Sequence, residues 1–180
     1  RMTLNAVSNL LCHAYKAEGR QMSATASIKL FGQDFAQYVK GEADISYHRK
    51  LNEVSSIVYR AFAGVGFPYG NTPNAMPFAE QYFGGGSNDI RAWVVRSLGP
   101  GSYALKDRTT FINQTADIKL EANAEYRFKL FWILEGAVFA DAGNIWTFRN
   151  DPDRPGAQFK LKKFIDDTAV GAGFGLRYDI

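Results

Sequence analysis

The sequence has little cysteine, little histidine and no long apolar run, and each scarcity excludes a class of protein or site. Cys12 is the only cysteine, so an intramolecular disulfide and a cysteine-based metal site are both excluded. His13 and His48 lie far from any nucleophile pattern, and we expect neither an enzyme nor a cofactor. No stretch approaches the roughly 18 consecutive apolar residues of a membrane-spanning helix. Basic residues form no run, which argues against nucleic acid as a partner.

What the sequence does have is glycine, aromatic residues and long stretches of alternating polarity. The 180 residues are 46% hydrophobic and 14% aromatic, and their 17 glycines are spread along the chain, as is typical of β-rich proteins. Residues 117–130 alternate most clearly, with a polar residue at every odd position and an apolar residue at every even position. A period of two predicts a strand with one wet face and one apolar face.

The same alternation predicts about six antiparallel strands, at 4–15, 36–49, 55–67, 117–130, 134–146 and 168–180. These strands exceed the roughly 5 to 6 residues usual in globular sheets. They are long enough to cross a bilayer, which takes about 9–11 residues. We therefore favour an all-β fold, an antiparallel transmembrane β-barrel whose apolar faces meet lipid. A soluble barrel or sandwich with the apolar face inward stays open, because periodicity does not exclude it.

Aromatic residues near the ends of the apolar faces are expected to form the girdles found at membrane interfaces. They are Tyr47, Phe67, Phe128, Trp132, Trp146 and Tyr178.

Connections between the predicted strands alternate in length. Short turns fall near 50–54 and 131–133, whereas 16–35, 68–116 and 149–167 are long, as periplasmic turns and extracellular loops are in outer-membrane barrels. The connection 68–116, called the lumen loop below, is too long to be structureless in a compact domain. Its glycines permit tight turns, so we expect a hairpin with Arg91 and Trp93 at its tip.

An arginine held inside a polar barrel should meet acids that project from the wall. Parity places Glu121, Glu125, Glu135 and Asp141 on the inner face. The planar guanidinium of Arg91 can grip Glu125 and Asp141 together, which a lysine would not match. The alternative is that Arg91 is an ordinary solvated loop residue, since surface ion pairs are common and weak.

Three ordered motifs resemble one family. The segment FGGGSNDIRAW at 83–93, with LGPG at 98–101, resembles the sixth extracellular loop of the BamA/TamA-type bacterial surface antigen superfamily. The segments FPYGN at 67–71 and RSLGPGSY at 96–103 look most like the Bacteroidetes branch of that family. The segments NAEYRF at 123–128 and VFADAGNIW at 138–146 look like the two strand motifs that follow that loop. The loop motif residues are Gly84, Gly85, Gly86, Ile90, Ala92, Trp93, Gly99 and Pro100.

The resemblance implies that residues 1–180 are the C-terminal part of a barrel of roughly sixteen strands, with the long loop tucked into the lumen. Arg91, Glu125 and Asp141 match the family's loop arginine and wall acids, and together we call them the lumen lock. The resemblance also implies insertion or translocation of other proteins at the bacterial outer membrane. Outer-membrane lipid and unfolded client proteins would be partners, and accessory lipoproteins are further candidates.

One residue departs from the family pattern. Ala92 stands where the family has glycine, so a positive φ at this position would cost about 1 kcal/mol or more. A passive porin or a soluble β-barrel ligand binder, whose loop merely narrows a cavity, remains an alternative function.

Several aspartates lie near the C-terminal end, but their spacing does not match a known calcium loop, and we expect no metal site. They are Asp151, Asp153, Asp166 and Asp167.

Overall fold

The fold is dominated by one antiparallel sheet. The computed structural model describes backbone and side chains at 36–70, 76–104, 114–131 and 133–177, and the backbone alone at 2–6, 29–30, 33–34 and 178. Eight strands are present in this part of the chain: β1 (Met2–Ala6), β2 (Lys29–Leu30), β3 (Gln33–Asp34), β4 (Gln37–Lys50), β5 (Ser55–Tyr69), β6 (Ile118–Phe131), β7 (Leu134–Trp146) and β8 (Ala169–Tyr178).

Strand pairing follows chain order. The six-stranded sheet runs β1-β4-β5-β6-β7-β8, each neighbour antiparallel, and β2 and β3 form a separate two-stranded hairpin. The all-β, antiparallel prediction is confirmed. The first predicted strand is described only as far as Ala6, and residues 7–15 lie outside the described residues. No helix among the described residues has the length and apolar character that a membrane span needs.

Exposure in this sheet is the reverse of that in a soluble sandwich. Ile45 and Val170 lie on strand faces that are predicted to be apolar, and both side chains are largely exposed. Phe174 is 85% exposed. In contrast, Glu121, Glu125 and Asp141 on the opposite face are buried. Large apolar side chains in the open and carboxylates inside are unusual for a soluble monomer, and they fit a sheet whose outer face meets lipid.

The lumen loop covers those carboxylates. It packs against the inner face of the sheet, where Tyr82 of the loop forms a cluster with Ala116, Ile145 and the partly buried Phe62. The loop is not structureless, because it contains a 3-10 turn at Phe78–Glu80 and several hydrogen-bonded turns. The core of this part of the protein therefore lies between loop and wall.

The connection from β7 to β8 folds over the outer face of the sheet. It contains a 3-10 turn, Leu161–Lys163, followed by one helical turn, α1 (Phe164–Asp167). Phe159 and Phe164 pack on Trp146, with ring centroids 5.5 and 5.6 Å from the indole.

The prediction that Trp146 belongs to a lipid-facing girdle is therefore wrong. Trp146 has the outward parity that was expected, but it is fully buried because this connection covers it. Tyr47 and Phe67 are exposed as a girdle requires, and Phe128 is partly buried. The side chains of Trp132 and Tyr178 lie outside the described residues.

Candidate functional site

The tip of the lumen loop is a compact hairpin closed by glycine. The backbone N–H of Gly86 donates to Trp93 O at 2.9 Å, and that of Arg96 donates to Gly84 O at 2.9 Å. Gly85 has φ 93° and Gly86 has φ 109°, which side-chain-bearing residues rarely adopt. A Cβ at position 85 would also meet Trp93 O at 3.0 Å. The glycines are thus required for the turn that presents residues 88–93 to the wall.

Arg91 is the residue that this hairpin presents, and it contacts Asp141 through three N–H groups. Its Nε donates to Asp141 Oδ2 at 2.8 Å, its Nη2 donates to Oδ1 at 2.8 Å, and its backbone N–H donates to Oδ2 at 3.0 Å. The side-chain pair is the bidentate geometry that guanidinium and carboxylate favour. The remaining nitrogen, Nη1, forms an ion pair with Glu125 Oε2.

The guanidinium of Arg91 also lies over an aromatic ring. Its central carbon is 3.6 Å from the ring centroid of Phe139, within the range of a cation–π interaction. The hydrogen bonds that Arg91 donates to Asp141 raise the pKa of Arg91 above its ordinary value, although burial acts in the opposite direction. Arg91 is therefore a permanent cation clamped between two acids and a ring.

Burial makes this ion pair unlike a surface pair. The Asp141 side chain is 0% exposed and the Glu125 side chain is 9% exposed. Removing one member of a buried pair typically costs about 3–5 kcal/mol, because the other charge is left without a partner. The structure thus brings all three members of the lumen lock together, and the reading of Arg91 as a solvated loop residue does not describe it.

Two further arginines converge on Glu125. Arg127 Nε donates to Glu125 Oε1 at 2.6 Å, and Arg177 Nη1 donates to the same oxygen at 2.7 Å. Arg127 lies on β6 and Arg177 lies on β8, so Glu125 joins two strands that are not neighbours. Because Oε1 is occupied by these arginines, Oε2 is the oxygen available to Arg91.

A second ion pair joins the loop to the wall two residues before Arg91. Here the acid lies on the loop and the cation lies on the wall. Lys119 Nζ, from the wall, is 2.6 Å from Asp89 Oδ2, and we call this pair the second anchor. Lys119 also lies 3.4 Å from Glu121, which accepts a hydrogen bond from Arg60 at 2.9 Å. Arg60 donates in addition to the backbone oxygen of Asn88 at 3.1 Å.

Asn123 lies between the two ion pairs and binds both. Its Nδ2 donates to the backbone oxygen of Asp89 and to Asp141 Oδ1, each at 3.0 Å. The inner face of β6 therefore presents Lys119, Asn123 and Glu125 in order to Asp89 and Arg91 of the loop. A two-residue slip of the loop would bring like charges together, so this order fixes its register.

Glycines in the wall make room for the loop tip. An added Cβ at Gly143 would lie 3.1 Å from Ile90 Cδ1, and one at Gly171 would lie 2.6 Å from the Cβ of Ala92. Ala92 does not adopt a positive φ, since Arg96, at 62°, is the one residue other than glycine that does so among those described. Position 92 therefore carries no strain from a positive φ.

The base of the hairpin is joined to the end of β7. The N–H of Gly101 donates to Ile145 O at 2.8 Å, and Asn144 Nδ2 donates to Gly101 O at 3.0 Å. Gly99 has φ 71° and is followed by the fully buried Pro100 through a cis peptide bond. Every residue of the predicted loop motif is accordingly part of the hairpin or of its base, although Trp93 remains 40% exposed.

Several functional contacts were missed by the sequence reasoning. Phe139 has inward parity next to Asp141, a signal that could have identified the ring beneath Arg91. Asp89 and Lys119 carried no comparable signal, because their pairing depends on the path of the loop. In the part of the chain that the structure describes, no three His, Cys, Asp or Glu side chains are grouped as ligands for a metal ion.

Comparisons with known proteins show the family of this chain. The Omp85 superfamily domain is matched over residues 18–180. The outer membrane protein assembly factor BamA of Neisseria meningitidis serogroup B (strain ATCC BAA-335 / MC58) is 25% identical over 144 residues, which are 77% of this chain and 18% of that protein.

A solved structure shares the fold. It is BamA from Haemophilus ducreyi lacking POTRA domains 1-3, with a TM-score of 0.60 and 18% sequence identity over 78% of this chain and 29% of that one. The chain thus spans less than a third of either relative. The sheet is a piece of a membrane β-barrel wall, as predicted, whereas the Bacteroidetes likeness stays a prediction.

Proposed function

Because the chain belongs to the Omp85 superfamily, and so to a β-barrel of the bacterial outer membrane, we propose that it takes part in inserting or translocating other proteins there. In this proposal its partners are outer-membrane lipid and unfolded client proteins, with accessory lipoproteins as further candidates. The role needs no bond-making chemistry, so the protein is proposed not to be an enzyme. The BamA name of the relative supports the assembly role.

The observation that carries the proposal is the clamping of Arg91 by Asp141 and Glu125. A passive pore does not need a buried cation gripped by two acids, because a loop that narrows a channel can be held by ordinary packing. The lumen lock fixes the tip of the loop against β6 and β7, on the inner side of the wall. We propose that a loop held in this way keeps the barrel wall in the shape that client proteins engage.

The test is charge reversal in the full-length protein that contains this chain. Asp141→Arg places a second cation beside Arg91, and we expect client barrels in the outer membrane to fall severalfold while unfolded clients accumulate. Asp153→Arg is the matched control, since it makes the same change at an exposed loop aspartate that forms no ion pair with a described residue. Normal client levels with Asp141→Arg, at normal abundance of the folded protein, would refute the proposal.

A further inference from the structure

The connection between β7 and β8 exposes an unusual mixture of side chains. Residues 159–167, called the rim segment, include the 3-10 turn and α1. Leu161 is 80% exposed and Ile165 is 84% exposed. Leu161 lies in the 3-10 turn and Ile165 lies in α1, four positions later. Isolated exposed aliphatic residues are ordinary, but a pair this exposed beside a lipid-facing sheet is not.

Three lysines accompany this apolar pair. Lys160, Lys162 and Lys163 are exposed, and none of them forms an ion pair with a described residue. Within the fully described rim segment Asp166 is the one exposed acid, since Asp167 is buried. Three lysines against one exposed aspartate leave the segment cationic.

The position of the rim segment relative to the bilayer follows from the aromatic contacts beneath it. Trp146 has outward parity at the end of β7, and the rings of Phe159 and Phe164 cover it from outside. Phe148 likewise packs on Phe67 of β5, with centroids 5.1 Å apart. The segment is thus continuous with the lipid-facing surface at the rim where the long connections lie, which is the extracellular rim in such barrels.

We propose that the rim segment is an interfacial anchor that binds the phosphate-bearing headgroups of the outer leaflet. Leu161 and Ile165 insert at the boundary between headgroups and acyl chains, to the depth of about 5–10 Å that is usual for amphipathic interfacial segments. The three lysines contact the phosphates above them, their alkyl stems lying along the apolar surface. This binding site for lipid lies outside the lumen lock and does not depend on the proposed function.

Spin-label accessibility in the full-length protein tests the location. A nitroxide is placed at Leu161→Cys in a Cys12→Ser background, and collisions with oxygen are compared with collisions with a water-soluble nickel chelate. Phe174→Cys reports the lipid-facing wall, and Asp153→Cys reports an exposed loop. We expect the label at 161 to prefer oxygen, as the label at 174 does. A preference for the chelate, as at 153, or protection from both reagents would overturn the proposal.

The chemistry of the headgroup is tested with vesicles of phosphatidylcholine, with and without phosphatidylglycerol. Phosphatidylglycerol should move the label at 161 deeper, and changing all three lysines to glutamine should abolish this shift while the label at 174 is unaffected. Each lysine near an anionic surface contributes about a fivefold preference. If phosphatidylglycerol does not change the depth of the label at 161 while the three lysines are present, the recognition of anionic phosphate headgroups by these lysines would be overturned. Migration of the folded form on unheated gels shows that each variant has folded.

Discussion

Ala92 at the tip of the lumen loop lies directly against Gly171 of β8. A Cβ added at position 171 would lie 2.6 Å from the Cβ of Ala92, closer than real Cβ atoms approach. The nearly bare inner face of β8 is therefore a surface shaped for the loop. The methyl group that replaces the family's glycine at 92 occupies space that a glycine in the wall provides.

The first prediction follows from this contact. Gly171→Ala should force the loop tip away from β8 and lower the free energy of unfolding by about 1–3 kcal/mol, the usual cost of overpacking. Urea unfolding in lipid vesicles measures the loss. Adding Ala92→Gly to Gly171→Ala removes the clashing methyl group and should restore most of the stability.

Gly175 supplies the control for this pair. It lies on the same face of β8, and a Cβ there would meet nothing within 4 Å. Gly175→Ala should therefore leave the loop in place. Equal destabilisation by Gly171→Ala and Gly175→Ala would show that the loss at position 171 does not come from contact with the loop.

The second prediction concerns the second anchor. Asp89→Lys and Lys119→Asp each place like charges together in a site where the two side chains are only 9% and 14% exposed. Each single change should release the loop tip. The double variant restores an ion pair with reversed polarity, and we expect a coupling free energy of roughly 0.5–3 kcal/mol.

Protease cleavage within the lumen loop measures that release. The double variant should be cleaved more slowly than either single variant. If the effects of the two single changes simply add, Asp89 and Lys119 do not hold the loop through each other.

The third prediction concerns the ring beneath Arg91. Phe139→Leu keeps an apolar side chain but removes the π face, and should cost about 0.5–2 kcal/mol. Phe174→Leu, which changes an exposed aromatic residue on the outer wall, should have a much smaller effect. Combining Phe139→Leu with Arg91→Gln should show less than additive loss, because the cation is already gone. Full additivity would mean that Phe139 acts through packing alone.

The fourth prediction concerns Trp146. When every other tryptophan of the protein, Trp93 and Trp132 included, is replaced by phenylalanine, the fluorescence of Trp146 should be only weakly quenched by brominated lipids, because Phe159 and Phe164 cover the indole. Phe164→Ala should open that cover and increase the quenching. Strong quenching in the parent protein would place the indole in the lipid girdle after all.

The strands and the lumen lock were predictable because they depend on local signals. A period of two separates the polar face from the apolar face in β6 and β7. Glu125 and Asp141 lie on the polar face, so both are expected on the inner wall, where a cation of the loop can reach them. Arg91 was the cation proposed from the residues, and the family resemblance implied the same residue. These inferences needed no knowledge of the path of the loop.

The remaining contacts depend on tertiary packing that alternation does not encode. Trp146 has the parity of a lipid-facing residue, yet a later connection folds over it. Asp89 pairs with Lys119 only because the hairpin crosses β6 at one register. Ala92 differs from the family's glycine, and a positive φ there would have carried a conformational cost. Its methyl group instead occupies space that Gly171 of β8 leaves free.

Hydrogen exchange of the loop tip tests the central claim most directly. The N–H of Arg91 donates to Asp141 at 3.0 Å, so its exchange reports whether the tip is docked. In the full-length protein in vesicles we predict a strongly protected tip, and loss of about two to three orders of magnitude of protection with Asp141→Ala, as expected for an unpaired buried charge. Rapid exchange in the wild-type protein, or protection that survives Asp141→Ala, would contradict the account.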